Sequence, residues 1–440
     1  MLSKLFSSKE ETKEILNTKS VFKITGVPIH TYVERNDLST EIDEHLESKD
    51  GILLFLGYSK SGKTVFRKKH VESTHKNIVT YRGNKVSTIP DLYGQIATQL
   101  NLGQPKELLK SAGSSFSTLE EEQLGNKNIG HVKDSRTTQA NSKTEVTAEL
   151  YPSKIDINFL CHNLSEKNVL IIIEDYHLVD NDFNKLLSED LKHFLDEEIQ
   201  FLLIGIPSSP SRALRYNPDL SGRMHKISFD YLTKPEIRKI INLGVDLLHV
   251  ELSEEVVDKI IETSFRNAYL VQYICQTLLI NNGVRKTSPT KVRISDPALV
   301  SQACVDISKT LDSDYSETYK IILAGSRSQQ NDQAFNQYEE ILKSIKHFSI
   351  EDLEKGIGYK TISGWTWSQL SPETINEFID VKKKYKNESS FRSSINTQIR
   401  NSFDKINDNF TQSSTKPIIY IHDRTLYLTD LIFKFYVNWK

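Results

Sequence analysis

The chain has 440 residues, of which 38% are hydrophobic and 26% are charged, which suits about three domains with sizeable cores. A net charge of −2 excludes the overall basic character of many nucleic-acid binders, although a local basic patch stays compatible with it. Three widely spaced cysteines predict neither a disulfide framework nor a zinc site. No apolar run reaches the roughly 18 residues of a membrane span. We therefore expect a cytoplasmic protein without membrane contact.

The N-terminal part of the chain predicts short elements. Residues 1–20 indicate an N-terminal arm or a short helix, and 21–28 indicate a short strand that ends in Gly and Pro. A helix is expected over 37–48, with Asp37 or Ser39 as its cap.

The stretch 53–64 matches G-x-x-x-x-G-K-[ST], the phosphate-binding P-loop pattern. An apolar run over 52–56 predicts a buried parallel strand in front of the loop, and a helix can follow from Thr64. Backbone N–H groups of such a turn point at a phosphate chain, and the helix dipole adds to the attraction. Lys63 would reach the β- and γ-phosphates of ATP, and the Thr64 hydroxyl would bind Mg²⁺. The alternative, a Gly/Ser/Lys turn that happens to fit, does not explain the strand in front.

Beyond the P-loop helix, a strand is predicted over 78–81 and a helix over 89–100. The stretch 103–150 differs in kind, because it is rich in Ser, Thr, Gln, Asn, Lys and Gly and poor in large apolar residues. We interpret it as a mobile insertion and not as a core element. It is either a tolerated surface excursion or a segment that binds a partner or acts as a lid.

A second strong signal is the continuous β-branched run over 168–175, which ends in Glu174 and Asp175. In P-loop proteins one acid at this place holds Mg²⁺ and a neighbouring acid can orient the attacking water. A strand that ends in two acids is weak evidence alone, but it follows a P-loop here.

Further strands are predicted over 200–207 and 224–229. Ser208 follows the first of them, at the place where many P-loop ATPases have a polar residue that senses the γ-phosphate. Strands that alternate with helices indicate an α/β fold, a P-loop NTPase parallel sheet with helices on both faces. Ligands bind beyond the carboxyl ends of such strands, where the P-loop, the acid pair and Ser208 all fall.

From residue 231 onward the pattern is helical. Helices over 235–247, 253–263 and 268–280 predict a helical lid within 231–310, and the ATPase core is assigned to 21–230. Residues 311–440 predict a C-terminal domain with a helix over 390–407 and a hairpin around Asp423 and Arg424, a pattern typical of a winged-helix-like domain. The basic run 382–386 is either a solvated connector or a phosphate-contacting patch.

Read together, the P-loop, the acid-tipped strand and the helical region resemble prokaryotic AAA+/STAND-type ATPases, and more narrowly origin-recognition-like ATPases with a C-terminal winged helix. The resemblance implies ATP and Mg²⁺ as cofactors. It implies a homo-oligomer or an effector protein encoded nearby as partner, with DNA contact through the C-terminal domain left open. Members of this class use ATP to switch conformation or assemble, in DNA handling, signalling or anti-phage defence.

The resemblance also assigns site residues. Lys63 and Thr64 match the Walker A lysine and hydroxyl, Glu174 the Mg²⁺ acid and Asp175 the hydrolytic acid, although the Glu-Asp order departs from the usual one. Arg223 stands where many relatives keep an arginine before the last core strand; the alternative is a surface arginine. STAND proteins often have a Gly-x-Pro in the lid that contacts the nucleotide base. The comparable segment here, 265–269, has no proline, so the resemblance does not support a base contact at this place. The predicted nucleotide-binding residues are Gly57, Tyr58, Ser59, Lys60, Ser61, Gly62, Lys63, Thr64, Val65 and Ser208.

Two other functions stay open. One is a DNA-binding regulator whose nucleotide site is mainly structural, and the other is an interaction adaptor that holds nucleotide with little turnover. Intact Lys63, Thr64 and two acids favour the ATPase.

Overall fold

The structure is a computed structural model that describes residues 15–49, 51–58, 60–74, 77–83, 88–102, 104–108, 129–134, 146–152, 155–206, 216–229, 231–324, 335–412, 418–428 and 430–440. Contacts group the chain into two compact units. The sheet unit consists of Arg35–Gly57 and Lys63–Phe229, and the helical unit of Met1–Glu34, Tyr58–Gly62 and Asp230–Lys440.

The sheet unit is built on five parallel strands: β1 (Ile52–Leu56), β2 (Asn77–Arg82), β6 (Val169–Glu174), β7 (Gln200–Gly205) and β8 (Met224–Ser228). They lie in the order β2-β6-β7-β1-β8. Alternate residues of β1 face opposite sides: Ile52, Leu54 and Leu56 join one apolar cluster, and Leu53 and Phe55 join the other. A sheet covered on both faces explains why the sequence shows continuous apolar runs and no alternation.

Helices pack on both faces of this sheet. Leu92, Leu160 and Leu191 lie in the cluster on one face, and Ile42 and Phe66 lie in the cluster on the other. The predicted fold class, a P-loop NTPase parallel sheet with helices on both faces, is confirmed. The helices are Asn36–Ser48, Lys63–Phe66 with its π-helical continuation Arg67–Val71, Glu72–Thr74, Ile89–Gln99, Ile157–Leu164 and Asn181–Asp196.

The predicted insertion contains regular structure. Strands β3 (Gln104–Leu108), β4 (Ile129–Asp134) and β5 (Val146–Pro152) form an antiparallel sheet of their own, in the order β3-β5-β4. The sequence did not predict these strands, because pairing between strands far apart in sequence is not visible in composition; a sheet of their own is compatible with an insertion. The rest of 103–150 lies outside the described residues, and its mobility stays a prediction.

The helical unit follows the predicted helices closely. The Lys234–Leu248 helix begins with a capping box between Thr233 and Glu236, with Pro235 in its first turn. Short strands β9 (Val250–Leu252) and β10 (Val292–Ile294) pair in parallel. The other helices are Thr18–Val21, Glu254–Thr263, Ala268–Asn281, Ala298–Leu323, Gln337–His347, Ile350–Lys355, Tyr359–Gln369, Pro372–Asn376 with π-helical Glu377–Val381, Glu388–Gln412 and Leu431–Trp439.

The predicted hairpin near the C-terminus is confirmed. Strands β12 (Ile419–His422) and β13 (Thr425–Leu428) are antiparallel, and β11 (Ile357–Gly358) pairs with β13. Asp423 and Arg424 have φ values of 46° and 59°, as in a type I′ turn.

Two local predictions were wrong. The segment 21–28 is not a strand, because the Thr18–Val21 helix ends there and Phe22 packs on Gly244, where a Cβ would lie 2.1 Å from the ring. Val21 and Phe22 are apolar neighbours because both are buried by residues far away in the chain, and in the sequence this gives the pattern of a buried strand. The helix predicted over 37–48 starts at Asn36, and Arg35 stands at its N-cap without a side-chain bond, so neither Asp37 nor Ser39 is the cap.

The predicted boundary at 310 and 311 falls inside the Ala298–Leu323 helix, whereas residues 15–34 group with the helical unit. The division of the chain into an arm, a core, a lid and a C-terminal domain stays a prediction. In the part of the chain that the structure describes, no helix is long and apolar enough to cross a membrane.

Candidate nucleotide-binding site

The predicted phosphate-binding loop lies between the inner strand β1 and a helix. Gly57 continues from β1 and its N–H donates to the Gly205 carbonyl at the end of β7, at 3.2 Å. The helix begins at Lys63. Gly62 has a φ of +97°, and an added Cβ would meet nothing within 4 Å. The backbone conformation, and not lack of space, therefore requires glycine at this position.

The Lys63 side chain contacts the backbone of its own loop. Its Nζ donates to the Gly57 carbonyl at 2.6 Å. Burial lowers the pKa of this ammonium to about 8, and the negative charge of Asp175 acts in the opposite direction. Lys63 and Asp175, two of the predicted catalytic residues, thus interact electrostatically within the sheet unit. A desolvated cation of this kind gains strongly from an anion placed beside it.

Glu174, the last residue of β6, is buried and paired with arginine. Arg67 Nε lies 3.3 Å from Glu174 Oε1, and Arg82 Nε lies 3.9 Å from Oε2. Arg67 is itself buried, and its Nη1 also donates to Glu72 Oε1 at 2.5 Å and to Thr80 Oγ1 at 3.2 Å. Much of the Glu174 charge is therefore compensated within the protein.

Asp175 differs from its neighbour in both exposure and backbone. The residue is exposed and has a φ of 54°, an unusual left-handed conformation for a residue other than glycine. Gly83 lies against it: its N–H donates to the Glu174 carbonyl at 2.7 Å, and a Cβ there would come within 2.6 Å of the Asp175 carbonyl. Any side chain at Gly83 would displace the acid turn.

Sequence reasoning did not single out Arg67, Arg82 or Gly83. Arg67 stands in the basic run 67–70, which has the appearance of an exposed helical face, and nothing in its spacing indicates burial. Gly83 follows β2 and has the appearance of an ordinary turn residue.

Other predicted residues fall in different places. Thr64 is exposed and Val65 is half-buried, both in the first turn of the helix. Tyr58 is buried in the core of the helical unit. Ser59 and Ser208 lie outside the described residues, so their predicted roles stay predictions.

Arg223 does not join the acids or Lys63. It precedes β8, and its carbonyl accepts from Ile52 N–H at 2.8 Å at the amino end of β1. Because the P-loop follows the carboxyl end of β1, five strand residues, or roughly 16 Å, separate the two ends. Arg223 Nη1 pairs with Asp196 Oδ1 at 3.2 Å, and both side chains are about half exposed, so the alternative of a surface arginine stays open.

Three features decide the fold: the glycine loop after the inner strand β1, its lysine, and the acid-tipped strand β6 two positions away from β1 in a parallel sheet. The chain has the fold of a P-loop NTPase. The order of motif, sheet and helical region agrees with the AAA+ resemblance found in the sequence. The P-loop NTPase donor set fits a nucleotide: a desolvated ammonium on a glycine-bearing loop suits a polyphosphate.

The fit to Mg²⁺ rests on Thr64 and Asp175, which are exposed, and less on Glu174, whose oxygens face guanidinium groups. Among the described residues, no group of three or more His, Cys, Asp or Glu side chains could hold a metal ion. A P-loop site does not need one, because the metal there takes a hydroxyl, an acid and phosphate oxygens.

No protein-family model matches this chain, and no curated protein does. Solved structures show a likeness at low identity. RuvB of Thermotoga maritima, a Holliday junction branch migration motor, is 12% identical over 91% of this chain and 94% of its own, with a TM-score of 0.39. A Walker-type ATPase of Pyrococcus abyssi is 12% identical over 95% and 99%, with a TM-score of 0.49. Cdc6 of Pyrobaculum aerophilum is 14% identical over 97% and 98%, with a TM-score of 0.41. At these identities the likeness concerns the fold alone.

Proposed function

We propose that this P-loop NTPase binds ATP with Mg²⁺ and hydrolyses it to switch conformation or to assemble. The observation that supports the proposal is the contact that Lys63 makes. Its ammonium donates to the Gly57 carbonyl at 2.6 Å, within the loop that in P-loop proteins surrounds the β- and γ-phosphates. The negative charge of a nucleotide would stabilise the protonated form of Lys63, which burial destabilises.

The two acids at the end of β6, Glu174 and Asp175, have different roles in this proposal. Asp175 is exposed and acts electrostatically on Lys63, which suits a group that orients a water molecule or contacts the metal. Glu174 faces Arg67, so its predicted metal role requires that pair to rearrange. Mg²⁺, when bound, would neutralise charge that develops on the phosphates. The chain's own part is to position the phosphates through Lys63 and Thr64.

The test is a hydrolysis assay with Lys63→Ala as reference. We expect Mg²⁺-dependent release of phosphate from ATP by the full-length chain and none above background from the variant, with tight ATP binding lost in calorimetry. A matched control is Lys68→Ala, an exposed lysine of the same helical segment. ATP affinity that is unchanged in Lys63→Ala would contradict the proposal.

The finer assignment, an AAA+/STAND-type switch in DNA handling or anti-phage defence with an effector partner, is proposed from the resemblance. The C-terminal residues support a winged-helix-like domain through their order: the Gln337–His347 helix, β11, the Tyr359–Gln369 and Glu388–Gln412 helices, and the β12–β13 hairpin. Hydrolysis measured with double-stranded DNA, single-stranded DNA and proteins encoded beside this one would identify the trigger.

A DNA-binding regulator is the first alternative. Exposed lysines 382, 383, 384 and 386 precede the Glu388–Gln412 helix, but Lys382 Nζ already pairs with Glu377 at 3.1 Å and lies 4.5 Å from the Phe378 ring. DNA binding that is retained in Lys63→Ala, together with no ATP hydrolysis by the wild type, would favour this regulator.

The second alternative is an adaptor that holds nucleotide with little turnover. The Arg67–Glu174 pair favours it, because this pair occupies the acid that is predicted to hold Mg²⁺. Such an adaptor would bind ATP without releasing phosphate.

A further inference from the structure

Arg67 and Glu72 are joined twice in the π-helical segment that follows the P-loop helix. The Glu72 N–H donates to the Arg67 carbonyl, five residues back, and Arg67 Nη1 donates to Glu72 Oε1 at 2.5 Å. In an α-helix, residues five apart lie on different faces, whereas the wider i→i+5 turn of a π-helix brings them to the same side. The π-helical turn therefore places a second acid, Glu72, beside the guanidinium that also faces Glu174.

The contact between Arg67 and Glu174 is close but incomplete. Nε and Oε1 are 3.3 Å apart and both are buried, yet neither atom has a hydrogen-bond partner among the residues that the structure describes. A buried polar atom without a hydrogen bond costs free energy. Oε1 can therefore still gain from a stronger partner, and a carboxylate oxygen is the kind of ligand that Mg²⁺ takes.

Arg67 keeps other partners if Glu174 turns away. Besides the bond to Glu72, its Nη1 donates to Thr80 Oγ1 on β2 at 3.2 Å. The Arg67 side chain is 4% exposed, and a guanidinium that is buried to this extent needs a carboxylate nearby to offset its desolvation. Glu72 can meet this need alone, whereas Arg67 without Glu72 would depend on Glu174.

We propose that Arg67 is a positioning residue for Glu174: it holds this carboxylate until Mg²⁺ binds there with ATP, and it then stays with Glu72 and Thr80. The proposal rests on the proposed function, because the competing cation is the Mg²⁺ of the ATPase. The guanidinium and the metal ion repel each other and compete for the same carboxylate. Arg67 thus lowers the affinity for Mg²⁺, and Glu72 and Thr80 raise this affinity because they retain Arg67 when Glu174 is released.

The coupling works in both directions. If Arg67 lowers the affinity of Glu174 for Mg²⁺ by some factor, bound Mg²⁺ weakens the Arg67–Glu174 pair by the same factor. Glu72 begins the Glu72–Thr74 helix, and Thr80 lies within β2, so both partners that retain Arg67 belong to regular elements of the sheet unit. The metal-free and the metal-bound forms therefore differ in which acid holds Arg67.

The experiment measures the Mg²⁺ concentration at which ATP binding to the full chain is half-maximal, by calorimetry. Glu72→Gln removes the charge of an exposed side chain and keeps its size. We expect this variant to raise the Mg²⁺ concentration by about fivefold or more, because Arg67 then depends on Glu174. Arg67→Met should instead lower it by about fivefold. General destabilisation of the fold does not produce these opposite signs.

A double variant decides whether Glu72 acts through Arg67. In the Arg67→Met background, Glu72→Gln should change the Mg²⁺ concentration by less than about twofold. An equal effect in both backgrounds would mean that Glu72 attracts Mg²⁺ through its charge alone, and would overturn the proposal.

Lys68→Met is the matched control for Arg67→Met. Lys68 is the exposed neighbour of Arg67 in the same π-helical segment, and its substitution removes the same charge. The Mg²⁺ dependence of ATP binding should be unchanged in this variant. A decrease equal to that of Arg67→Met would assign the effect to net charge and would also overturn the proposal.

Thr80→Val keeps the proposal testable if Arg67→Met does not fold. It removes an acceptor of Arg67 Nη1 without a change in charge, so we expect the Mg²⁺ concentration to rise by about threefold. Without the Arg67 variant, the proposal requires that Glu72→Gln and Thr80→Val both raise this concentration. A rise in only one of them, or in neither, would contradict it.

Two failures are distinguishable. If the wild type binds no ATP at any Mg²⁺ concentration, the proposed function is wrong. If ATP binding depends on Mg²⁺ and on Lys63 but not on these substitutions, only the role of Arg67 is wrong. A purely structural role of Arg67 would lower the melting temperatures of the variants and leave the half-maximal Mg²⁺ concentration unchanged.

Discussion

Arg67 and Glu174 form a buried ion pair, with Nε and Oε1 3.3 Å apart. The pair joins the helix that follows the P-loop to the end of β6. It lies beside the two elements that carry the phosphate-binding lysine and the acid turn, so its loss would affect both the fold and the site.

Arg67→Met is expected to destabilise the sheet unit by about 3 kcal/mol, because a buried carboxylate that loses its partner keeps its desolvation cost. Urea unfolding followed by circular dichroism measures this loss. Arg82→Met is the control: its side chain is exposed and 3.9 Å from Glu174, so we expect a loss of less than about 1 kcal/mol. Equal losses in the two variants would show that Arg67 does not compensate Glu174.

Nucleotide affinity is expected to fall as the pH rises through about 8. Burial lowers the pKa of the Lys63 ammonium to about 8, and a neutral amine does not attract phosphate. A bound nucleotide favours the protonated form, so binding takes up a proton above this pH and affinity falls by at most about tenfold per pH unit. Calorimetry in buffers from about pH 7 to about pH 9 tests this, on the alkaline side of the reference titration of histidine.

Lys63→Arg supplies the control for the pH experiment. A guanidinium stays protonated throughout this range, so the variant should bind ATP with little dependence on pH, even if more weakly. The same slope in wild type and Lys63→Arg would assign the titration to another group.

Asp175→Asn should keep ATP bound and slow hydrolysis by about tenfold or more, as expected when a group that orients water loses its charge. Glu174→Gln should instead weaken the dependence on Mg²⁺. Binding and turnover are measured separately, with Mg²⁺ titrated in each variant. If Asp175→Asn loses Mg²⁺-dependent binding and Glu174→Gln does not, the two roles are reversed.

Arg223 is predicted to act on a nucleotide held by a neighbouring subunit. Arg223 precedes β8, at the amino ends of the parallel strands, whereas the P-loop of the same chain follows the carboxyl end of β1. Its ion pair with Asp196 is exposed and therefore weak enough for Arg223 to leave it for a phosphate. Arg223→Ala subunits, inactive alone, should recover part of their hydrolysis when mixed with Lys63→Ala subunits, which keep Arg223.

Asp196→Ala tests the alternative that Arg223 only holds Asp196. If the pair were the whole role, this variant should match Arg223→Ala in activity, whereas action in trans predicts that it keeps hydrolysis. No recovery at any mixing ratio, together with a specific rate that does not change on dilution, would exclude action in trans.

The sequence alone determined the parts of this protein that depend on neighbours in the chain. The P-loop motif, the apolar strands over 52–56 and 168–175, and the Asp423–Arg424 turn follow from glycine placement, continuous burial and turn chemistry, each read within a few residues. The helices of 234–281 follow from their period and from caps such as Thr233. These local preferences agree with the fold, so they could be predicted.

Tertiary structure decided what depends on residues far apart. Nothing in the basic run 67–70 indicates that Arg67 is buried against Glu174, and nothing in the loop indicates that Lys60 lies over the Tyr269 ring, because the two residues of each pair are more than 100 residues apart. The strand predicted at 21–28 failed for the same reason: packing against Gly244 buries Phe22, and burial by a distant helix leaves no period in the sequence. Pairing of charges across the fold depends on geometry that only the folded chain creates.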